Sequence, residues 1–317
     1  MDIFLPTVNQ MIFLFAFIIL GFLLAKTGYL PKGANSVLSK LENMIFIPAL
    51  VMGTFIKNFT VATLSTAWKI LLFSLAIEIV IIPITILICK LCDKDAFTQK
   101  IYTYGLSFSN FGFMGNAVVL ALFPDIFTEY ILFTLPLWAA IYLWGVPSLL
   151  IGGAEGKKGL KARLKPFVNP MFICMLIGMI IGISGISLPK ALVDVIDVSG
   201  SCMSPIAMLL TGITLGSIPL LGTLKRGSIY VVTAIRLLVY PLIALGIFAI
   251  LPESLSVSST LVICTVCSLA MPLGLNTIVV PAAYGKDTST AAGMALVSHL
   301  LSLLTIPAIF ILLKMIL

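Results

Sequence analysis

Charge is what this sequence has least of. Only 10% of its 317 residues are Asp, Glu, Lys or Arg, against about 25% in a soluble domain. There is one histidine, and no stretch between the apolar runs is long enough to hold a soluble domain. A water-soluble core cannot absorb so much apolar surface, whereas lipid can. The formal charge of +7 would suggest nucleic acid in a soluble protein, but here the basic residues sit in short gaps between apolar runs. They read as topology signals, so the expected partner is a lipid bilayer and no nucleic acid.

The signatures of catalysis are absent as well. Gly152-Gly153-Ala154-Glu155-Gly156-Lys157-Lys158 lacks the spacing of a phosphate loop and the Ser/Thr after its lysine. No G-x-S-x-G serine setting occurs, and the aspartates all lie near loops, which excludes an intramembrane aspartyl pair. Two C-x-x-C pairs, Cys89/Cys92 and Cys264/Cys267, have neither further histidines nor a βαβ pattern around them. They are read as small buried residues. The expectation is a protein that is not an enzyme, with no catalytic residues, metal or cofactor. Coupling to a sodium ion or a proton stays open.

What is present is apolar length: 60% hydrophobic residues and a mean hydropathy of +1.19. Crossing the hydrocarbon takes about 20 apolar residues. Runs of that order occur at 8–25, 39–57, 67–90, 101–122, 127–151, 168–186, 192–217, 228–250, 257–282 and 289–316. Gaps such as Gly28-Tyr29-Leu30-Pro31 and Leu251-Pro252-Glu253 separate them. The first run lacks a basic preceding region and a cleavage site, so it is expected to be a retained membrane helix. With the N-terminus outside, fourteen Lys/Arg fall in cytoplasmic gaps, among them Lys26, Lys32 and Lys40, and only Lys57, Lys69, Lys190 and Lys314 fall outside. The positive-inside rule favours that orientation, in a cell inner membrane with both termini extracytoplasmic.

The most basic gap lies mid-chain, and the halves on either side match weakly. Asn169-Pro170 opens the second half much as Asn9 precedes the first helix. Pro48 is answered by Pro205, and Pro147 by Pro307. Glu78 stands five residues before Pro83, and Arg236 five before Pro241. Five spans is an odd number, so the second half must be inverted. The expected architecture is an all-α polytopic membrane protein of ten transmembrane helices in two inverted five-helix repeats. The first repeat is 1–155, the linker 156–166 and the second repeat 167–317. Rocking one repeat against the other would give alternating access.

Two segments break the apolar background at corresponding places. Run four holds Ser107-Phe108-Ser109-Asn110-Phe111-Gly112-Phe113-Met114-Gly115-Asn116, and run nine holds Ser268-Leu269-Ala270-Met271-Pro272-Leu273-Gly274-Leu275-Asn276-Thr277. Proline and glycine break a helix. A break at this depth must line protein or water, and it creates a mid-membrane N-terminus with free N–H groups and partial positive charge. Two such ends suit a carboxylate. The candidate substrate site is Asn110, Gly112, Gly115, Asn116, Pro272, Gly274 and Asn276, with a small organic anion as substrate. The plainer reading is tight helix packing at small residues.

Ionisable groups inside spans are functional candidates. Glu78 and Arg236 have opposite charge at matched positions, which predicts an ion pair between the halves or a coupling or gating role. His299 can titrate near neutral pH or simply pack, and Glu42 lies near a cytoplasmic end. Asp194 and Asp197 suit the start of run seven. A channel or a membrane sensor remains an alternative to a carrier, as does an ion-coupled symporter or antiporter.

The Asn110-x-Gly112-Phe113-x-Gly115 stretch resembles the auxin efflux carrier family. So does the ending Met271-Pro272 … Tyr284-Gly285-Lys286-Asp287 … Ser298-His299-Leu300-Leu301-Ser302 through Pro307. The resemblance covers the whole chain. It implies a secondary transporter related to plant auxin exporters and to bacterial permeases for malate and other organic acids. It also implies a fold like that of bile-acid sodium symporters, with runs four and nine crossing, and it allows a homodimer. Asn116 stands where that family usually has proline, and the neighbourhood of His299 lacks the family's usual threonine.

Overall fold

The structure, a computed structural model, describes residues 4–31, 33–150, 170–217, 223–251, 257–283 and 286–317. The linker 156–166, Lys32, Asn169 and the Pro252-Glu253 and Tyr284-Gly285 gaps lie outside them. The described residues form helices α1 (Phe4–Thr27), α2 (Ala34–Asn58), α3 (Val61–Cys92), α4 (Ala96–Ser107), α5 (Phe111–Leu122), α6 (Phe127–Ala140) and α7 (Ile141–Leu150). After the linker come α8 (Pro170–Ser184), α9 (Lys190–Gly216), α10 (Gly227–Ile250), α11 (Ser259–Ala270), α12 (Asn276–Ala283) and α13 (Ser289–Ile316).

Six of these helices are long and apolar enough to cross a membrane alone: α1, α2, Ser65–Cys92 within α3, α9, α10 and α13. A seventh crossing results if Pro124–Ala140 and Leu143–Leu150, bent by 43°, count as one. The rest of the expected ten runs appear as shorter pieces, because runs four and nine are cut at Asn110 and Pro272 and run six is described only from Pro170. Only 22% of the most apolar window of α3 is buried inside the protein, with Leu87 63% and Val80 59% exposed. Lipid must cover that face. The protein is an all-helical, multi-pass membrane protein.

Helix packing cuts across the two halves of the sequence. In α1 and α9, Gly21 rests on Leu209 and Ile213, Gly212 on Ile18 and Phe22, and Gly216 on Phe22 and Ala25. The numbers rise together, so these helices run parallel. The same holds for α2 and α8: Gly178 rests on Met52 and Phe55, and Gly182 on Phe55, Ile56 and Phe59. Small residues let backbones approach where lipid supplies no hydrophobic drive between helices. Gly53 against Ile196 and Gly200 against Leu50 then join α2 to the first half of α9, antiparallel. Lys57 and Asp197 close this contact at 2.7 Å. The helix starts at Lys190 with no acidic residue in its first turn, so Asp194 and Asp197 do not serve its start as expected, and Asp197 pairs with the partner helix instead.

Both α2 and α9 are irregular ahead of their matched prolines. α2 widens into a π-turn at Glu42–Phe46 before Pro48, and α9 loosens at Cys202 before Pro205. Proline withholds a backbone donor and crowds the turn before it. Glu42 is fully buried in its π-turn, with no partner for either carboxylate oxygen among the described residues.

The other helices gather into a second group. α3 packs on α4 and α6, and α10 packs on α11 and α13. The first two helices of each half thus form one group and the last three of each half another, joined by α1 against α13 and by α9 against α5, so the closest packing pairs helices across the two repeats rather than within each.

A methyl group on Gly178 would lie 2.8 Å from the Met52 carbonyl oxygen, whereas one on Gly246 meets nothing within 4 Å. Gly178→Ala should therefore lower the melting temperature in detergent. Gly246→Ala should leave it unchanged or raise it, by the roughly 0.5–1 kcal/mol that alanine gains in a helix. Equal melting of the two variants would show that the α2–α8 contact is not close.

Candidate functional site

The two breaks meet. After α4 the chain is extended at Phe108, and after α11 it is extended at Met271. Ser109 and Leu273 form an isolated antiparallel bridge, and the Asn110 N–H donates to the Pro272 carbonyl at 2.7 Å. The Ser109 hydroxyl donates to the Ser268 carbonyl at 2.7 Å. Each break thus uses the other for backbone partners that a continuous helix would supply. Gly274 eases this close approach, since a methyl group on it would lie 3.2 Å from the Ser109 carbonyl oxygen.

Arg236 holds the other face of this crossing. Its Nη1 donates to Leu106 O at 2.8 Å, its Nη2 to Ser268 O at 2.8 Å and its Nε to Met271 O at 3.2 Å. These carbonyls end α4 and α11, where the last turn has no donor of its own. Each helix end carries about half a negative charge. Two such ends balance one guanidinium, which is 1% exposed in a π-turn of α10.

The expected Glu78–Arg236 ion pair does not form. The one ion pair among the described residues is Lys57–Asp197. Glu78 and Arg236 do line one small cavity of about 20 Å³, with Ser74, Ser107, Thr265 and Ser268. The arginine is turned to carbonyls, so Glu78 Oε1 and Ser107 Oγ are left without partners. Sequence spacing found the shared depth of the two charges but not the competing carbonyls, which exist only because both helices break.

On the opposite face lie the new helix starts. Asn110 caps α5, its Oδ1 accepting from Met114 N–H at 3.5 Å while its carbonyl accepts from Gly115 N–H at 2.9 Å. Asn276 opens α12 and donates from Nδ2 to the Tyr104 hydroxyl at 3.2 Å. Both starts line a cavity of about 20 Å³, room for about one water, with Gly112, Gly274, Tyr104 and Trp138 in its wall. Gly112 makes way for Trp138, and Gly115 for the Tyr130 hydroxyl.

Asn116 is placed elsewhere. It lines a separate cavity of about 10 Å³ with Val51 of α2, Met171 and Met175 of α8, and Trp138. With helical φ/ψ, it continues α5 from the preceding turn without a break. His299 and Ser298, adjacent on α13, reach one break each: His299 Nε2 meets Asn110 Nδ2 at 3.2 Å, and the Ser298 hydroxyl accepts from Leu273 N–H at 3.2 Å. Tyr104 and Trp138 went unread, because single aromatics in an apolar run carry no periodic signal. Cys264 and Cys267 are buried core residues of α11.

Arg236→Met should leave the Leu106 and Met271 carbonyls without a donor, at about 1–3 kcal/mol each before relaxation, while Ser268 O keeps the Ser109 hydroxyl; the melting temperature should fall sharply. Glu78→Gln should be tolerated or stabilising. The double variant should not recover the stability lost in Arg236→Met, although the cavity the two side chains share can couple the changes by about 0.5–3 kcal/mol. Rescue of Arg236→Met by Glu78→Gln would restore the ion pair that the geometry lacks.

No curated protein matches the chain. The family described as membrane transport protein matches it twice, over residues 6–160 and again over 157–310, which together span nearly the whole sequence. With two interrupted helices crossing inside a multi-pass bundle, the chain belongs to this membrane transport protein family, that of the auxin efflux carriers.

Proposed function

We propose that this transporter carries a small organic anion, a mono- or dicarboxylate or an auxin-like acid, by alternating access at the crossing of the two breaks. The observation that carries this reading is the shared cavity of the α5 and α12 starts. Helix N-termini offer N–H groups and partial positive charge to a carboxylate. Asn110 and Asn276 add amide donors, while Gly112, Gly115, Pro272 and Gly274 shape the backbone around them. Arg236, the one cation at this depth, faces the opposite side and is occupied by carbonyls. The anion would thus meet donors without a full charge to hold it.

In this reading the chain crosses an inner membrane ten times, as two inverted repeats with interrupted fourth and ninth crossings. The double family match and the paired α1–α9 and α2–α8 contacts support it. The moving boundary lies between the α1, α2, α8, α9 group and the group holding the breaks. Asn116 and Trp138 sit on that boundary and serve gating. The unpartnered Glu78 carboxyl favours a second reading alongside the first, in which a proton or sodium ion neutralises it and drives transport.

Purified protein in proteoliposomes should exchange labelled L-malate or indole-3-acetate, with counterflow, and the response to a sodium or proton gradient would identify the coupling. Asn110→Ala and Asn276→Ala should weaken substrate affinity by about 1–3 kcal/mol, roughly 5–150-fold. Asn116→Ala should alter turnover more than affinity. Unchanged affinity in the first two, in folded protein, would place the site elsewhere. In a background without the six native cysteines, a cysteine at 157 should resist labelling from outside intact cells.

A further inference from the structure

His299 is fully enclosed, and its two ring nitrogens have different partners. Nδ1 lies 2.8 Å from the Ala295 carbonyl, which can only accept. The proton of the neutral ring is therefore on Nδ1, and Nε2 is an acceptor. Asn110 must then present its NH2 group to Nε2, at 3.2 Å, and its Oδ1 to the Met114 N–H. The amide is thus oriented by a histidine on α13, with a longer contact of 3.5 Å to the helix it caps. Every polar atom in this chain of contacts is matched, with no charge anywhere in it.

We infer that His299 is a proton site tied to the anion cavity through Asn110, so that a proton and an organic anion bind there together. The inference rests on the anion reading above and adds its coupling. A proton on Nε2 would face the Asn110 NH2 group, donor against donor. The amide must turn over so that Oδ1 accepts from Nε2–H. Oδ1 then leaves the Met114 N–H, and the NH2 group takes its place. The start of α5, a wall of the anion cavity, so gains two unmatched donors, the Met114 N–H and the Asn110 NH2.

Charge acts in the same direction. The ionisable groups on helices packed against this stretch of α13 are Arg236 and Tyr240 on α10, Tyr104 on α4, and Cys264 and Cys267 on α11. None is a carboxylate, and α1, α9 and α12 contribute none at this depth. An imidazolium here lies in the same layer as Arg236, and among the described residues the one carboxyl of that layer, Glu78, stands in the Arg236 cavity rather than against His299. A bound anion supplies the missing negative charge. By linkage, whatever the anion does for proton affinity the proton does for anion affinity.

The chain has one histidine, so a histidine-free purification tag leaves a single ring to observe. In protein labelled with 15N-histidine and reconstituted in nanodiscs, the anion-free ring should be neutral with the proton on Nδ1. Adding L-malate or indole-3-acetate at pH 6 should produce the doubly protonated ring. Affinity for the probe should rise about 5-fold or more from pH 8 to pH 6. His299→Gln, which keeps an acceptor where Nε2 stands but cannot be charged, should bind with affinity independent of pH. His299→Asn, which keeps only the contact to Ala295, should bind more weakly at every pH. An anion-free ring protonated on Nε2 would overturn the inference, as would His299→Gln retaining the pH dependence. If neither probe binds at any pH, the organic-anion reading falls and this inference with it. If a probe binds without moving the histidine, only this inference falls.

Discussion

One guanidinium makes the centre of this protein tenable. Interrupting two helices inside a bilayer leaves carbonyl groups with no donor at the ends of α4 and α11, in a medium without water to satisfy them. Arg236 answers three of these carbonyls, and its charge opposes the dipoles of both helix ends. The rest of the core follows from that position. Because the negative ends of the broken helices are bound to Arg236, their partners' positive ends are left to face the other way. The crossing thus has a neutralised face and a face rich in donors, separated by the short bridge of Ser109 and Leu273.

The second constraint is close approach. Lipid does not drive helices together as water does, so contact area must come from backbones that lie near one another. Glycines at 21, 212 and 216 provide this for α1 and α9, and those at 178 and 182 for α2 and α8. The result ties the first half of the chain to the second through helices that neither half could pack alone. It leaves the broken helices in a separate group that meets this frame along α1, α13 and the cavity beside Asn116.

Much of this was legible in the sequence, for definite reasons. Long apolar runs, basic gaps and mid-run Asn, Gly and Pro are local signals, and they located the helices and both breaks. The matched prolines at 48 and 205 were read only as a sign of the repeat, and the irregular turns ahead of them in α2 and α9 appeared with the structure. What failed depended on competition between distant groups. Glu78 and Arg236 have the right charges and depth for a pair, but the carbonyls of Leu106, Ser268 and Met271 take the arginine first. Asn116 belongs by sequence to the same motif as Asn110. Six residues along a helix turn it to a different side, toward α2 and α8. Trp138 stands in the walls of both cavities, a role that no spacing of residues encodes.

The bridge between Ser109 and Leu273 also bears on how such a chain is made. The first break is synthesised about 160 residues before its partner, as the numbering of that bridge requires. During that interval Ser109 and Asn110 have no Ser268 or Pro272 to bond, and Arg236 has not yet emerged. A half-made protein would therefore hold α4 and α5 with open backbone groups, which the hydrocarbon penalises. Those two helices must wait in a wetter place, at the membrane surface or within the insertion machinery. The final crossing is then a late event of biogenesis, completed only when α11 and α12 arrive. The order of translation delays the assembly of this crossing until nearly the whole chain is present.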